Sequence, residues 1–270
     1  MTFDRFMKEF FAQELSEFPN TVYKNDCWYS FTPQGLMHQI FGLRSPSGQL
    51  SFTYGTRALI APLWKEPGSS MKKEVLLRPS KNPWTDFRFR GPTIQDPESV
   101  KALRRMLTES IVPDLRILTT IQSLYDEALK LSERRRESHY EVYGMDASIY
   151  EHPYRYFNYN EAAYVFSYLH RAQEGLDGIQ KMREFLLLSA RGDYESWKAE
   201  GHSNERFDQD YQTHLEEILQ WDKSGWQFLL LPKQEQQQKL REIFEENRAK
   251  IHDLLRIDPE FDIDFIFPEG

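Results

Sequence analysis

The chain contains one cysteine in 270 residues, Cys27, which excludes an internal disulfide and any site built from several thiolates. Long apolar runs are also missing. The greasiest stretches, 185–188 and 228–231, fall far short of the roughly 18 residues that a membrane-crossing helix needs. Charged residues Asp4, Arg5, Lys8, Glu9, Glu14 and Glu17 interrupt the N-terminal apolar residues, a pattern that a secretory signal does not tolerate. There is no P-loop, dinucleotide glycine fingerprint, G-x-S-x-G elbow, HExxH helix or EF-hand loop. The expectation is a cytoplasmic protein that does not enter the membrane, with no cofactor, no metal and no recognisable catalytic motif.

What the chain has is charge, unevenly distributed. The net charge is −8; residues 1–95 carry 12 basic and 8 acidic side chains, and residues 96–270 carry 22 and 34. An acidic C-terminal part repels phosphate, so nucleic acid is not the expected partner there. It suits either plain solvation or a basic protein partner. Lys65, Lys72, Lys73, Arg78 and Lys81 form a basic cluster in the first part, the one place where a nucleic-acid contact has a footing.

The apolar period changes along the chain. Thr2 caps an amphipathic helix over Phe3 to Phe18, with Phe6, Met7, Phe10, Phe11 and Leu15 on one stripe. Alternation in twos then predicts strands at Cys27–Phe31, Leu36–Leu43 and Leu50–Tyr54, joined by turns at Pro33-Gln34-Gly35 and Ser45-Pro46-Ser47-Gly48. These form an antiparallel meander with one polar face. A fourth short strand is expected at Phe87–Arg90, after an irregular loop from Pro62 to Pro83. Asp96-Pro97-Glu98 starts a helix, and helical spacing continues almost to Arg256. Pro113 divides the first stretch, and the next helix ends near Arg134-Arg135-Arg136. Asn160 caps a further helix, Gly175-Leu176-Asp177-Gly178 reads as a turn, Pro232 separates two later helices, and the tail from Ile257 reads as extended. Residues 161–190 are similar to one tetratricopeptide-type hairpin, but no second copy follows. The predicted class is α+β: a small antiparallel sheet with an N-terminal helix (1–95), followed by an all-helical C-terminal lobe (96–270).

Candidate site residues come from two places. The connector 134–160 sets Arg135 beside Tyr140, Tyr143, Tyr154 and Tyr156 and is long for a helix connection. Arg and Tyr are interface-enriched, yet such a segment also packs its rings between elements. Glu216 and Glu217 represent the acidic lobe. For an enzyme, His38, His139 or His152 is the candidate base, and Cys27 needs a histidine such as His38 nearby to act as a nucleophile. Each also fits a structural role. Arg191-Gly192-Asp193 is read as an ordinary helix end.

The N-terminal helix, the segment Asn25-Asp26-Cys27-Trp28-Tyr29, the meander through Phe52-Thr53-Tyr54-Gly55 and the helix opening at Ile111-Val112-Pro113 resemble a bacterial domain family of unknown function. That family is encoded near polymorphic toxin loci and includes candidate immunity proteins. The resemblance covers residues 1–130 and implies a fold and a context, with no catalytic residues to carry over. The expected function is protein binding, with toxin neutralisation as its narrower form. An enzyme whose site is assembled from scattered residues between the lobes is the alternative.

Overall fold

The computed structural model describes residues 2–44, 49–63, 84–88, 97–157, 159–202 and 204–268. The expected 45–48 turn, most of the 62–83 loop, the Asp96 cap and the basic cluster at Lys65, Lys72, Lys73, Arg78 and Lys81 lie outside the described residues. The chain divides into two units, Met1–Leu124 with Leu240–Gly270, and Tyr125–Lys239. The division therefore does not fall near residue 95.

Helix α1 (Phe3–Glu14) is capped as its sequence suggests, the Thr2 side chain accepting from the Arg5 amide at 3.3 Å. Strands β1 (Val22–Lys24), β2 (Cys27–Phe31), β3 (Leu36–Arg44), β4 (Gln49–Ala58) and β5 (Trp84–Arg88) follow, antiparallel and in chain order. β1 had no alternation long enough to announce it. It forms because Asn25 and Asp26 both adopt positive φ, 53° and 59°, the conformation of a tight hairpin turn. Gly35 at φ 83° makes the next reversal.

Register sorts the meander into two faces. Trp28, Ile40 and Tyr54 stand opposite one another on one face, which Ser30, His38 and Thr56 share, and Tyr29, Gln39 and Gly55 stand opposite one another on the other. Trp28, Ile40 and Phe52 join a core with Phe6, Met7, Phe10 and Phe11 of α1 and with Leu103, Leu107, Ile111, Val112 and Leu115. The last five lie on α2 (Pro97–Met106), a π-helical turn Leu107–Ile111 and α3 (Val112–Ile117). Pro113 does not split this stretch into separate helices. The wide π turn just before it takes up the missing i−4 hydrogen bond and the ring. Because these turns complete the core of the sheet, they belong to the first unit.

The expected polar face does not form: polar side chains are divided between the two faces and are buried on both. Ser30, His38 and Thr56 are inaccessible on the face of Trp28 and Ile40, as are Gln39 and Arg57 beside Cys27, Tyr29, Phe31 and Met37 on the opposite face. The sequence pattern showed polarity at these positions, but not that both faces are covered.

Helix α4 (Ile121–Glu137) crosses into the second unit. There β6 (Glu141–Val142) and β7 (Met145–Asp146) form a small ladder, two 3-10 turns follow (Ala147–Tyr150 and Pro153–Tyr156), and then come α5 (Tyr159–Tyr168), α6 (Ala172–Ala199), α7 (Glu205–Leu219) and α8 (Lys223–Leu229). α5 begins before Asn160, which lies inside its first turn. Gly175 and Gly178 do not form a turn; both lie inside the 28-residue α6. Their role is close approach. A Cβ on Gly178 would lie 2.6 Å from Tyr154 Cβ and 2.7 Å from His152 Nδ1, and one on Gly175 would lie 2.9 Å from Leu229. The helix reversal comes earlier, with His170 at φ 58° and the Arg171 amide donating to the Phe166 carbonyl at 2.7 Å. Phe166 centres this unit, with the rings of Tyr125, His152, Tyr154 and Phe157 around it.

Helix α9 (Lys233–Leu255) returns the chain to the first unit, and a short turn of helix, α10 (Ile263–Ile266), replaces the extended tail. The return is tied polar group to polar group. Asn247, fully buried, donates to the carbonyls of Leu59 at 2.8 Å and Ala61 at 2.7 Å and accepts from the Leu63 amide at 3.1 Å. Lys24 donates to the Leu254 carbonyl, and the Asp262 amide to the Pro33 carbonyl at 2.8 Å.

Asn247→Ala leaves two buried carbonyls and one amide without this partner. At about 1–3 kcal/mol for each unsatisfied group, partly relieved by relaxation, the expected loss is about 3 kcal/mol. Urea unfolding checks this; a midpoint unchanged from wild type refutes the tether.

Candidate functional site

The Tyr-rich connector turns inward around one carboxylate. Glu151 is 1% exposed; its side chain accepts from the hydroxyls of Tyr140 and Tyr156 (2.6 Å for Tyr156) and from Arg155 Nη1 at 2.6 Å, while Arg136 donates to its carbonyl at 3.0 Å. Arg155 also donates to the Tyr140 hydroxyl at 2.7 Å and lies 4.6 Å from the centre of the Phe185 ring. Arg135 stays exposed, 5.4 Å from the centre of the Tyr140 ring. Burial and the neighbouring carboxylate raise the pKa of both tyrosines, so they remain neutral donors. Tyr154, 1% exposed, is a core residue whose hydroxyl donates to Asp222. Asp222 caps α8 in turn, accepting from the Gly225 amide at 2.9 Å, and burial raises its pKa. Of the connector candidates, the structure thus gathers Tyr140 and Tyr156 about Glu151, leaves Arg135 exposed beside the Tyr140 ring, and commits Tyr154 to the interior.

Tyr143 is different. It sits with Gly144 at positive φ in the β6–β7 turn, is 48% exposed, and lays its ring where a Cβ of Gly192 would stand. The Arg191-Gly192-Asp193 tripeptide is therefore mid-helix, its glycine a seat for this ring. The Tyr143 hydroxyl donates to Asp193, which lines an open groove of about 210 Å³ between α6 and α7.

The groove carries four rings that sequence reading missed. Trp197, Phe207, Tyr194 and Tyr211 form a near-parallel row. Centroids are 6.0, 5.3 and 4.0 Å apart in that order, with interplanar angles of 7°, 6° and 16°. Trp197 is 55% exposed. The spacing explains the row: residues three apart on α6 and four apart on α7 share a helix face. That spacing, paired on consecutive helices among acids, was the available signal. Asp193 and Asp210 line the groove, and Asp208 accepts from the Tyr194 hydroxyl at 2.8 Å. Residues 193–217 hold 8 acidic and 2 basic side chains, against 21 and 14 for the whole of 125–239. Almost all of that unit's net negative charge thus falls in this segment. Glu216 and Glu217 are exposed at the far end of α7, outside the groove lining.

The histidines take structural positions. His38 is buried, shares a 2.8 Å hydrogen bond with Thr56, and has its pKa lowered to about 4 by desolvation. His152 caps a 3-10 turn, its Nδ1 accepting from the Tyr154 amide at 3.1 Å, and burial lowers its pKa to about 4. His139 is exposed, 3.5 Å from Asp146. The β2–β3 register sets Cys27 opposite Phe41 and His38 opposite Ser30, so the strands do not pair thiol with imidazole. Among the described residues, no three His, Cys, Asp or Glu side chains are placed to hold a metal, and no helix is long and apolar enough to cross a membrane.

Two consequences are measurable. His38 binds a proton less readily folded than unfolded, so its contribution to stability is complete above its unfolded pKa near 6.5 and is lost as pH falls from there toward 4. Between pH 7 and 4.5, wild type should lose about 2 kcal/mol more than His38→Gln in urea unfolding; parallel losses refute this. Glu151→Ala leaves Arg155 and two hydroxyls without their acceptor, and about 2 kcal/mol should be lost, less than for a fully buried pair because Arg155 keeps some water. Thermal melts and near-ultraviolet tyrosine ellipticity report it, and an unchanged melt would count against the cluster. No protein-family model matches the chain, and neither curated proteins nor solved structures give a significant match; the family resemblance over residues 1–130 rests on its sequence pattern alone.

Proposed function

We propose that this chain is a cytoplasmic protein-binding protein whose contact surface is the α6–α7 face of the second unit. One observation carries the reading: four aromatic rings, led by the half-exposed Trp197, stand in a row at the surface instead of in the core, within the most acidic segment of the unit. Large aromatic side chains left partly in water cost free energy that a partner recovers by covering them. Trp and Tyr are also the residues that anchor interfaces. Tyr143 extends this surface through Asp193, and Glu216 and Glu217 add to its charge. Tyr140, Tyr154 and Tyr156 are left to internal packing.

The partner that suits this surface is basic. Neutralisation of a basic bacterial toxin, the immunity role, is the narrower form of the proposal and draws its support from the family resemblance and this charge. The cytoplasmic placement draws on the single cysteine, buried at Cys27, which requires no oxidising compartment.

The test is affinity capture of tagged wild type, Trp197→Ala and Tyr156→Ala from native cells, with quantitative mass spectrometry. A stoichiometric partner recovered by wild type and Tyr156→Ala, and reduced at least tenfold by Trp197→Ala, is expected. A partner retained equally by Trp197→Ala places the binding surface elsewhere.

A further inference from the structure

The α6–α7 groove has a chemistry more specific than adhesion. We infer that it is a receptor for an arginine side chain, presented by a basic segment of the partner, with the guanidinium lying on the Trp197–Phe207–Tyr194–Tyr211 ring row and held by Asp193 and Asp210. This inference rests on the protein-binding reading above and names what that surface recognises.

Three observations converge on it. The rings are nearly parallel and stacked, so the inner ones cover each other's faces, and the half-exposed Trp197 at the end of the row offers the indole, the best ring for a cation. Carboxylates stand at the same groove: Asp193 and Asp210 line it, and Asp208 is tied to the ring row through Tyr194. A guanidinium both stacks on rings and forks to carboxylates, whereas an ammonium does neither as well. Size gives the third argument. At about 210 Å³ the groove is smaller than the roughly 300–1,000 Å³ of whole-metabolite sites, and it accommodates one long side chain. Phosphate-bearing ligands are repelled by the acidic segment.

The protein already places two cations of its own beside these groups. The Lys198 ammonium lies 5.6 Å from the centre of the Tyr194 ring, and Arg206 approaches Asp210 at 3.9 Å, both side chains of that pair being largely in water. Such exposed pairs hold little energy, so an incoming arginine displaces them readily.

The experiment titrates the full chain with an acetylated Gly-Arg repeat peptide and, separately, with Gly-Lys and Gly-Glu repeats of equal length. The Trp197 indole N–H resonance is followed, assigned by its loss in Trp197→Phe. The Gly-Arg peptide is expected to shift that resonance saturably and to bind more tightly than Gly-Lys, with Gly-Glu inert. Binding, measured for every variant by isothermal titration calorimetry because the indole signal is lost with Trp197, should weaken roughly tenfold in Trp197→Ala and in Asp193→Asn/Asp210→Asn, and recover in part in Trp197→Phe. Far-ultraviolet circular dichroism confirms that each variant is folded.

An indole resonance unmoved by millimolar Gly-Arg peptide overturns the inference, as does equal binding to wild type and Trp197→Ala. Sedimentation showing a dimer that Trp197→Ala dissolves assigns the groove to a second copy and also overturns it. If a native partner depends on Trp197 but the peptide neither binds nor competes, the arginine inference fails and the protein-binding reading stands. If the peptide binds as stated while no partner depends on Trp197, the binding reading fails and the chemistry of the groove stands.

Discussion

Both faces of the β1–β5 sheet have to leave water, and that requirement organises the chain. One face is covered at once by α1 and then by the α2, π-turn and α3 stretch, through Trp28, Ile40 and Phe52. The other face bears Cys27, Tyr29, Phe31 and Met37, all buried. Single-layer sheets with apolar residues on both sides are unstable unless covered. The chain end therefore comes back to the strands: Asn247 satisfies the backbone where β4 runs out at Leu59 to Leu63, Lys24 reaches the Leu254 carbonyl, and Asp262 bonds Pro33. Folding of the first unit needs residues more than 180 positions apart. The second unit is inserted into the first in sequence, between Leu124 and Leu240.

Within the second unit, two aromatic groups meet opposite fates. Around Glu151, two tyrosine hydroxyls and Arg155 satisfy one buried carboxylate, and Arg136 takes its backbone carbonyl. Such a network is stable only when complete, since any unpaired member pays full desolvation. The α6–α7 row has the reverse balance. Its rings stack on one another, and its carboxylates are spread along helices in water, with Asp208 and Asp193 accepting from tyrosine hydroxyls. Packing accounts for the first group without residue. It does not account for a tryptophan left half exposed at the second.

How much of this was readable differs by element and by cause. The capped first helix and the three-strand meander expected from Cys27 to Tyr54 followed from local signals: Thr2, alternation in twos, and Gly35 in the turn. The end of α4 at Arg134–Arg136 was legible for the same reason. Gly175 and Gly178 misled because glycine marks either a turn or a close approach, and only the position of Tyr154, His152 and Leu229 decides which. The burial of Ser30, His38 and Thr56 was hidden because what covers a face is a tertiary fact. Tyr154 and Tyr143 have the same residue type and lie in the same connector, yet one is in the core and the other on Gly192. The ring row escaped notice because Tyr194 and Trp197, or Phe207 and Tyr211, read singly as the inner stripe of a helix. Their exposure becomes visible only when both helices are in place.

The coincidence of rings and charge on α6–α7 is what separates a binding surface from a soluble helix. Acidic helices are common and need no partner; partly exposed aromatic residues are also common when they stand alone. Here 193–217 concentrates nearly the whole net charge of its unit and also holds its surface ring row. For solubility alone, charge would be better dispersed, and rings would be better replaced by Leu or Ala on the inner stripe and by polar residues outside it. Carboxylates placed beside ring faces weaken neither. They raise the negative potential that the ring quadrupoles already present, so both features favour the same ligand charge. A cation is the one class of group for which the two terms add, and among protein side chains the planar guanidinium fits both.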